Sequence, residues 1–339
     1  MSLQASSVPL LSLVEPGQAA VLEQLFHTVI LEPGQLLFEE GKPCDWLWVL
    51  QAGAEVSVSR AGGTPAQVAV ARLVAGDTVG EMALVDEGPR SGTARVLVGG
   101  PAFVMAAQDF YSLRGAYHPA AFQLLKKICL ELCARLRLTS DRLVAPSKAV
   151  PAARPPMAIR RTEAEHLDEL PCFRCLPSVV KLALAQKLRR LDVADATTVC
   201  SEGEAGDAAY FIASGAVQVL RSDQVLAQLQ PGEVFGMVAL IDGGTRSASC
   251  VSSGPTRLFR LARADFEQLF SSGNRFAFQL VEGMARQLVR NLRAADLLLA
   301  RPEVSALPQG VPAPGPFSEA EFAALDFGGV PESSPLPPA

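Results

Sequence analysis

An internal repeat constrains this chain of 339 residues more than any other feature. Gly41 and Gly53 recur as Gly203 and Gly215, in both cases 162 residues later. Further along the spacing is 156 residues, and three matched pairs share it: Gly76 and Gly232, Arg90-Ser91 and Arg246-Ser247, and Phe110 and Phe266. Since each spacing holds over a long stretch, the chain is a tandem duplication of one folding unit, with a longer hairpin at 61–65 in the first copy.

Composition limits what the two copies can be. Apolar residues make up 49% of the chain, which is enough for packed cores, and 30 basic against 35 acidic residues exclude the charge footprint of a dedicated nucleic-acid binder. No apolar run reaches the roughly 18 residues of a membrane span, and the N-terminus lacks the basic start of a signal peptide. The seven scattered cysteines fit a reducing compartment, so we expect a cytoplasmic protein without a membrane span.

Each copy shows short β-type runs separated by glycine-containing turns, and then a long amphipathic helix. Apolar residues repeat at spacings of three and four in 119–143 and 275–299, which predicts a closing helix in each copy. Shorter helices are expected before the strands, at 21–26 and 179–188. The strand candidates are 46–50, 54–59 and 68–73 in the first copy and 210–213, 217–220 and 225–229 in the second. Short strands at regular spacing predict a roll, barrel or sandwich.

The domain boundaries follow from composition. We expect a flexible N-terminus at 1–15, domain 1 at 16–144, a linker rich in Pro and Ala at 145–165, domain 2 at 166–300, and a Pro-rich disordered tail at 301–339. Within the tail, Ser318 and Glu321 have the spacing of a helix capping box, so a short helix is predicted at 318–327. The segment 317–327, called the tail motif below, either packs back on the body or binds a partner protein.

The stretch after Gly76 carries the most chemistry. Gly80 lets the backbone approach a ligand closely, and a helix-compatible turn that starts with Glu81 follows it. Nine residues later, Arg90 offers a guanidinium fork that matches phosphate oxygens. A helix N-terminus adds backbone N–H groups for an anion, and an acid is a good acceptor for sugar hydroxyls. Together these residues predict a pocket for a phosphate attached to a ribose.

This stretch resembles the phosphate-binding cassette of the cyclic-nucleotide-binding domain family, which includes regulatory subunits of the cyclic-AMP-dependent kinase and bacterial catabolite activator proteins. The family pattern runs Phe-Gly-Glu-x-Ala-Leu, four to five residues, and then Arg-Ser/Thr-Ala-Thr/Ser. Domain 1 departs from it at Val79 and Gly92, where Phe and Ala are usual, and both are small packing changes. The resemblance covers about 26–143 and 172–299. It implies a mainly β fold with flanking α-helices: two β-rolls of jelly-roll type, each closed by C-terminal helices.

The resemblance also implies roles for single residues. Arg90 would pair with the cyclic phosphate, and Glu81 would accept a hydrogen bond from the ribose 2′-hydroxyl. Backbone N–H groups around Gly80, Ala83 and Ser91 would complete the phosphate site, and the Ser91 hydroxyl has the option of contacting the amino group of guanine. The predicted binding residues of domain 1 are Gly80, Glu81, Met82, Ala83, Arg90, Ser91 and Thr93, and the regulatory ligand is cAMP or cGMP.

Domain 2 departs from the pattern at the acid. Met237 occupies the position of Glu81, so the acceptor for the ribose is lost. A missing hydrogen bond of this kind costs about 1–3 kcal/mol, or roughly one to two decades of affinity. Glu233 precedes the turn and is not expected to substitute. Domain 2 is therefore degenerate: it binds weakly, binds a different anion or only packs. Its weaker site comprises Gly236, Ala239, Arg246, Ser247 and Ser249.

Other chemistry-bearing residues do not predict an enzyme or a metal site. His27, His118 and His166 are isolated, and the CxxC formed by Cys172 and Cys175 lacks a second pair of ligands. No catalytic residue, metal or catalytic cofactor is expected.

Several conspicuous side chains have structural interpretations. Cys129 and Cys133 lie one helical turn apart on an apolar face and are expected in the core. Trp46 and Trp48 alternate along a strand, and both are expected to face the core. The arginines near the end of the first closing helix suit its dipole as readily as a partner: Arg135, Arg137 and Arg142.

Two hypotheses of different classes follow. In the first, a non-enzymatic sensor binds a cyclic nucleotide in domain 1, the closing helix from Pro119 onwards shifts, and an unknown effector protein reads the change through the closing helices or the tail motif. In the second, the chain is a ligand-independent scaffold or dimerisation protein with vestigial rolls. Glu81 and Arg90 together favour the first. Nucleic acid is not an expected partner. The choice of nucleotide, the effector, homodimer formation and the direction of the switch stay open.

Overall fold

A computed structural model describes residues 9–11, 14–61, 67–144, 157–170, 173 and 178–300. The helices are α1 (Pro16–Glu23), α2 (Glu81–Asp86), α3 (Ala107–Gly115), α4 (Pro119–Leu143), α5 (Ser178–Lys187), α6 (Met237–Ile241), α7 (Arg263–Ser272) and α8 (Arg275–Leu299). The strands are β1 (His27–Leu31), β2 (Leu36–Phe38), β3 (Trp46–Leu50), β4 (Glu55–Ala61), β5 (Gln67–Leu73), β6 (Thr78–Val79), β7 (Thr93–Val98), β8 (Gly100–Ala106), β9 (Ile159–Arg161), β10 (Leu188–Val193), β11 (Thr198–Cys200), β12 (Ala208–Arg221), β13 (Gln224–Leu229), β14 (Val234–Phe235) and β15 (Ser249–Ala262). Short 3-10 helices cover Pro9–Leu11 and Ala164–Glu169.

Domain 1 is a roll of two four-stranded antiparallel sheets. One sheet has the strand order β1-β8-β3-β6 and the other β2-β7-β4-β5. Gly53, with a φ of +91°, makes the turn between β3 and β4 and so carries the chain from one sheet to the other. Leu50 from the first sheet and Val56 and Val96 from the second share one buried apolar cluster. The roll predicted from strand spacing is confirmed.

Domain 2 forms the same roll from longer strands. β12 spans in one strand the residues equivalent to β3 and β4, so the candidates 210–213 and 217–220 are one element. The resulting sheet has the order β13-β12-β15-β10-β9, with β11 added to β15 and β14 added to β12. Register shifts on either side of Ser214 bend β12 where domain 1 has its turn.

The two closing helices pack against each other. α4 begins after His118, whose Nδ1 accepts a hydrogen bond from Ala120 N at 3.1 Å, and Pro119 takes the first helical position. α8 begins after an asparagine cap. The Phe122 and Phe278 rings lie 5.6 Å apart between centroids, one from each helix. Both helices have the predicted bounds, and Cys129 and Cys133 are buried in the core as predicted.

Several expectations need correction. Leu10 and Leu11, within the expected flexible N-terminus at 1–15, are fully buried because Pro9–Leu11 packs against α4. β9 lies inside the expected linker at 145–165 and pairs with β10. Trp46 is 44% exposed while Trp48 is buried, because Trp46 is the first residue of β3 and extends beyond the core.

Smaller differences concern the bounds of helices, and some predictions fall outside the described residues. α1 covers 16–23 rather than 21–26, and α5 covers 178–187. The tail at 301–339 with its motif, and both Cys172 and Cys175, fall outside the described residues. No helix within the described ranges is long and apolar enough to cross a membrane.

Candidate functional site

The turn between β6 and α2 brings the predicted residues of domain 1 together. Gly80 has a φ of +98°, and a Cβ at this position would lie 2.3 Å from Nη1 of Arg90. Glycine is therefore required here both for the backbone conformation and for the close approach of the arginine. Because α2 starts at the next residue, Glu81 and Arg90 face the same space.

Arg90 is a buried cation that forms no ion pair with any of the residues described. It is 3% exposed, and its guanidinium lies 4.2 Å from the centroid of the Phe38 ring. Nη1 donates to Gly80 O at 3.0 Å and Nη2 to Trp46 O at 2.7 Å, whereas Nε has no hydrogen-bond partner among the described residues. Burial lowers the pKa of Arg90 from its usual range. A buried charge of this kind is costly unless an anion joins it.

Glu81 has one carboxylate oxygen occupied and one free. Oε1 accepts a hydrogen bond from Nη1 of Arg135 at 2.5 Å. Oε2 is buried and has no partner in the part of the chain that the structure describes. Arg135 belongs to α4 and also donates to Thr78 O, so this ion pair ties the turn to the closing helix. A donor on a ligand would satisfy the free oxygen, at a gain of about 1–3 kcal/mol.

A second acid of α4 lies beside this ion pair. Oε2 of Glu131 accepts a hydrogen bond from Oγ1 of Thr78 at 2.5 Å. Burial raises the pKa of Glu131 to about 7. The hydrogen bond from Thr78 lowers this pKa, and the negative charge of Glu81 raises it further. Glu131 therefore exchanges its proton near neutral pH.

Glu81, Arg90 and Arg135 border a cavity of about 430 Å³ between β4, β5, α2, α4 and α8. Its volume lies within the range of roughly 300–1,000 Å³ that is usual for small-molecule sites. Six of the seven predicted residues line it: Gly80, Glu81, Met82, Ala83, Arg90 and Ser91. Thr93 does not, because its Oγ1 accepts a hydrogen bond from Glu40 N at 3.1 Å, and this bond joins β7 to the loop after β2.

Domain 2 orients Arg246 in the same way but neutralises it. Nη1 donates to two backbone carbonyls at 2.8 Å each, and Nη2 lies 2.8 Å from Oδ1 of Asp207. Burial opposes ionisation of Asp207, but Arg260 and Arg246 outweigh burial and lower its pKa. Asp45 holds the equivalent position in domain 1, and it makes no ion pair with Arg90 in the described structure.

The cavity of domain 2 is smaller, about 130 Å³, and its lining is mostly apolar. Buried Met237 stands in its wall where domain 1 has Glu81. Ser249 of the predicted weaker site lies outside the lining, because its Oγ accepts a hydrogen bond from Glu202 N at 2.9 Å. The predicted residues that do line the cavity are Gly236, Ala239, Arg246 and Ser247.

Glu233 is fully buried away from this cavity. It accepts hydrogen bonds from Gln230 N at 2.7 Å and from Nε2 of Gln287 at 3.2 Å. Burial raises the pKa of Glu233. Both of its carboxylate oxygens thus accept hydrogen bonds outside the lining of this cavity.

The sequence analysis did not predict that the closing helix of each domain forms an ion pair with the other domain. Arg137 on α4 bonds both carboxylate oxygens of Asp242, at 2.6 and 3.0 Å. Arg293 on α8 bonds both oxygens of Asp86, at 2.9 and 3.1 Å. The two arginines are 156 residues apart, and so are the two aspartates, so the repeat contained this signal. The spacing did not show that the partners belong to different domains.

Known relatives cover different shares of the chain. The chain is 38% identical over 135 residues to the cyclic AMP receptor protein of Thermus thermophilus, a match over 38% of the chain and 60% of that protein. It is 23% identical over 288 residues to the cAMP-dependent protein kinase regulatory subunit of Dictyostelium discoideum, over 82% of the chain and 72% of that protein. The solved regulatory domain of Toxoplasma gondii PKA with cAMP is 18% identical and superposes with a TM-score of 0.30, over 80% of the chain and 93% of that structure.

A family match covers both copies of the repeat. The model of the cyclic nucleotide-binding domain matches residues 28–117 and 190–272, just over half of the chain. No group of three or more His, Cys, Asp or Glu side chains suited to a metal ion occurs among the residues described. With two matched regions on two copies of one β-roll, the chain belongs to the family of proteins that carry cyclic nucleotide-binding domains.

Proposed function

We propose that the chain is a non-enzymatic, cytoplasmic regulatory protein that binds a cyclic nucleotide, cAMP or cGMP, in domain 1 alone and passes the signal to a partner protein. The observation that carries the proposal is that one cavity contains both a buried cation and a buried acceptor oxygen whose interactions are incomplete. Within the described part of the chain, the buried positive charge of Arg90 has no carboxylate beside it in an ion pair, and the buried Oε2 of Glu81 has no hydrogen-bond donor. A cyclic phosphate completes the first and a ribose hydroxyl the second.

Binding in this way reaches the closing helix. A ribose hydroxyl that donates to Oε2 of Glu81 changes the charge distribution of this carboxylate. The other oxygen of the same carboxylate accepts a hydrogen bond from Arg135 of α4. The ligand therefore favours one placement of α4 over another to the extent that its affinity for the two differs. One relative is named as a regulatory subunit of a protein kinase, and a separate chain that reads the position of the closing helices is the kind of partner we propose here.

Calorimetric titration of the full chain with cAMP and, separately, with cGMP tests the proposal. We expect one site per chain with micromolar or tighter affinity. Arg90→Ala removes the buried partner of the phosphate and should weaken binding by about 30-fold or more, since such a loss costs about 2–5 kcal/mol. Arg246→Ala is the matched control, and it should change the affinity by less than about threefold because Asp207 already neutralises Arg246.

Other outcomes decide against parts of the proposal. Two sites per chain would show that domain 2 binds despite Met237. Equal losses from the two arginine variants would remove the distinction between the domains. If neither nucleotide produces binding heat or raises the unfolding temperature, the result favours the scaffold hypothesis instead.

A further inference from the structure

Domain 2 contains two cysteines that face each other across neighbouring strands. Cys200 ends β11 and Cys250 lies on β15, and the register of these antiparallel strands pairs them directly. Residues paired in this way have Cα atoms about 4.5–5.5 Å apart, which lies within the range of roughly 4.4–6.8 Å that a disulfide spans. Both side chains are buried, and their thiols share a hydrogen bond. The two sulfur atoms are therefore already placed side by side.

The first copy of the repeat has no thiol at these positions. Phe38 and Ala94 occupy the equivalent places and pair across β2 and β7. The Phe38 ring lies over the guanidinium of Arg90, and a cysteine at position 200 cannot provide such a contact for the arginine of domain 2. The roll therefore forms without sulfur at either position, and domain 2 has a pair of thiols in place of that contact.

An oxidant can reach this pair from the domain 2 cavity. Cys200 and Cys250 both line the cavity of about 130 Å³, together with Arg246. A cavity needs roughly 10–15 Å³ to hold a water molecule, so there is room for hydrogen peroxide beside the sulfur atoms. Burial and the hydrogen bond with Cys200 raise the pKa of Cys250, and the positive charge of Arg246 opposes them. Since the thiolate is the reactive form, oxidation is slow at neutral pH.

We propose that Cys200 and Cys250 are a modification site, at which hydrogen peroxide forms a disulfide that joins β11 to β15. The thiolate of one cysteine attacks a peroxide oxygen, the O–O bond breaks, and a sulfenic acid and hydroxide result. The sulfur of the second cysteine then attacks the sulfenic sulfur, the S–S bond forms, and the sulfenic oxygen leaves as water. In total the two thiols lose two hydrogen atoms, and the peroxide is reduced to two water molecules.

The disulfide would brace the part of domain 2 that contacts domain 1. It closes a loop over residues 201–249, which contains β12, β13, β14 and α6. The loop also includes Asp242, which is bonded by Arg137 of α4. Leu136 and Ser140 of α4 line the same cavity, so the braced wall faces the closing helix of domain 1. Because a cross-link restricts the unfolded chain, oxidation stabilises domain 2 against unfolding.

Treatment of the full, ligand-free chain with hydrogen peroxide tests the proposal, followed by digestion without reductant and mass spectrometry of the peptides. Peptides linked through Cys200 and Cys250 should appear in most chains and should separate again in dithiothreitol. Cys129 and Cys133 are the control within the same chain. Both are buried on α4 and neither belongs to the lining of the domain 2 cavity, so they should remain thiols.

Thermal unfolding measures the bracing effect. The oxidised wild type should unfold about 5 °C or more above the reduced chain. Cys250→Ala copies Ala94 and removes the link, so its midpoint should not respond to peroxide. In dithiothreitol the same variant should unfold close to the wild type, which checks its fold. Cys44→Ala, which removes a thiol of domain 1, is the matched control and should keep the full shift.

Several outcomes would overturn the inference. A link between Cys200 and Cys250 that forms only in the denatured chain would show that the folded domain does not permit the bond. Peroxide that leaves both residues as thiols, or converts one of them to a sulfinic acid without a link, contradicts the modification site. A link that leaves the unfolding midpoint unchanged refutes the bracing effect. Since none of these measurements uses a nucleotide, the inference is tested separately from the proposed function.

Discussion

Arg90 and Arg246 occupy the same position in two copies of one fold, but their positive charges are balanced differently. Arg90 donates to backbone carbonyls and has no carboxylate partner among the residues with described positions, whereas Arg246 is paired with Asp207. The cavity beside Arg90 is about 430 Å³ and the one beside Arg246 about 130 Å³. The difference teaches that an arginine in this turn indicates an anion site only when the surrounding side chains leave its charge unbalanced.

The closing helices repeat this contrast. α4 places Arg135 and Glu131 beside the turn of domain 1, and the equivalent residues of α8 are Asn291 and Gln287. Side-chain amides can donate hydrogen bonds to a carboxylate, but they are neutral and cannot balance its negative charge. The loss of Glu81 in domain 2 is thus matched by the loss of the arginine that would hold it.

Restoring the acid in domain 2 should fail, and this gives the largest expected effect. Met237→Glu buries a carboxylate opposite Asn291, so we expect the free energy of unfolding to fall by about 3–5 kcal/mol. No second binding site should appear in titrations. Denaturant unfolding measures the loss, and Met237→Leu, which keeps the site apolar, should cost less than about 1.5 kcal/mol. A stable variant with two sites per chain would show that the acid alone separates the domains.

Removing the acid in domain 1 sharpens the comparison from the other side. Glu81→Met copies domain 2 and should weaken binding of the preferred cyclic nucleotide by about 10–100-fold, because the ribose hydroxyl loses its acceptor. The matched ligand is the 2′-deoxy analogue, for which wild type and variant should differ much less. If the variant weakens both ligands by the same factor, Glu81 acts on the turn and not on the ribose.

Glu131 should add a pH dependence to the stability of domain 1, and this is the smallest effect of the three. The pKa of Glu131 is about 7 in the folded chain against 4.5 for an ordinary glutamate, so the folded state holds the proton longer than the unfolded state. Stability from this group therefore falls as the pH rises from about 4.5 to 7 and stays level above. The shift sets an upper limit of about 3 kcal/mol, and because Glu131 is partly exposed we expect a loss of about 1–2 kcal/mol. Glu131→Gln, which copies Gln287, should flatten that part of the profile in unfolding measurements without ligand. A variant with the wild-type slope would show that Glu131 does not titrate in this interval.

Much of the fold could be predicted because it rests on local periodicity. Apolar spacings of three and four marked both closing helices, and glycine-separated β-type runs marked the roll. The bounds of short elements were less secure. Leu10 and Leu11 are buried by a helix more than 100 residues away, and Ile159–Arg161 pairs with a strand of domain 2, so neither could be recognised from neighbouring residues.

By itself, the sequence determined the duplication, the cassette from Gly80 to Arg90 and the loss of the acid at Met237, because each depends on residue type at a fixed spacing. Tertiary structure alone decided how the charges are balanced. Asp86 meets Arg293 across 207 positions, and Glu81 meets Arg135 across 54. Asp296 of α8 lines the cavity of domain 1 for the same reason. No spacing rule links such residues, because their meeting depends on how two closing helices pack against two rolls.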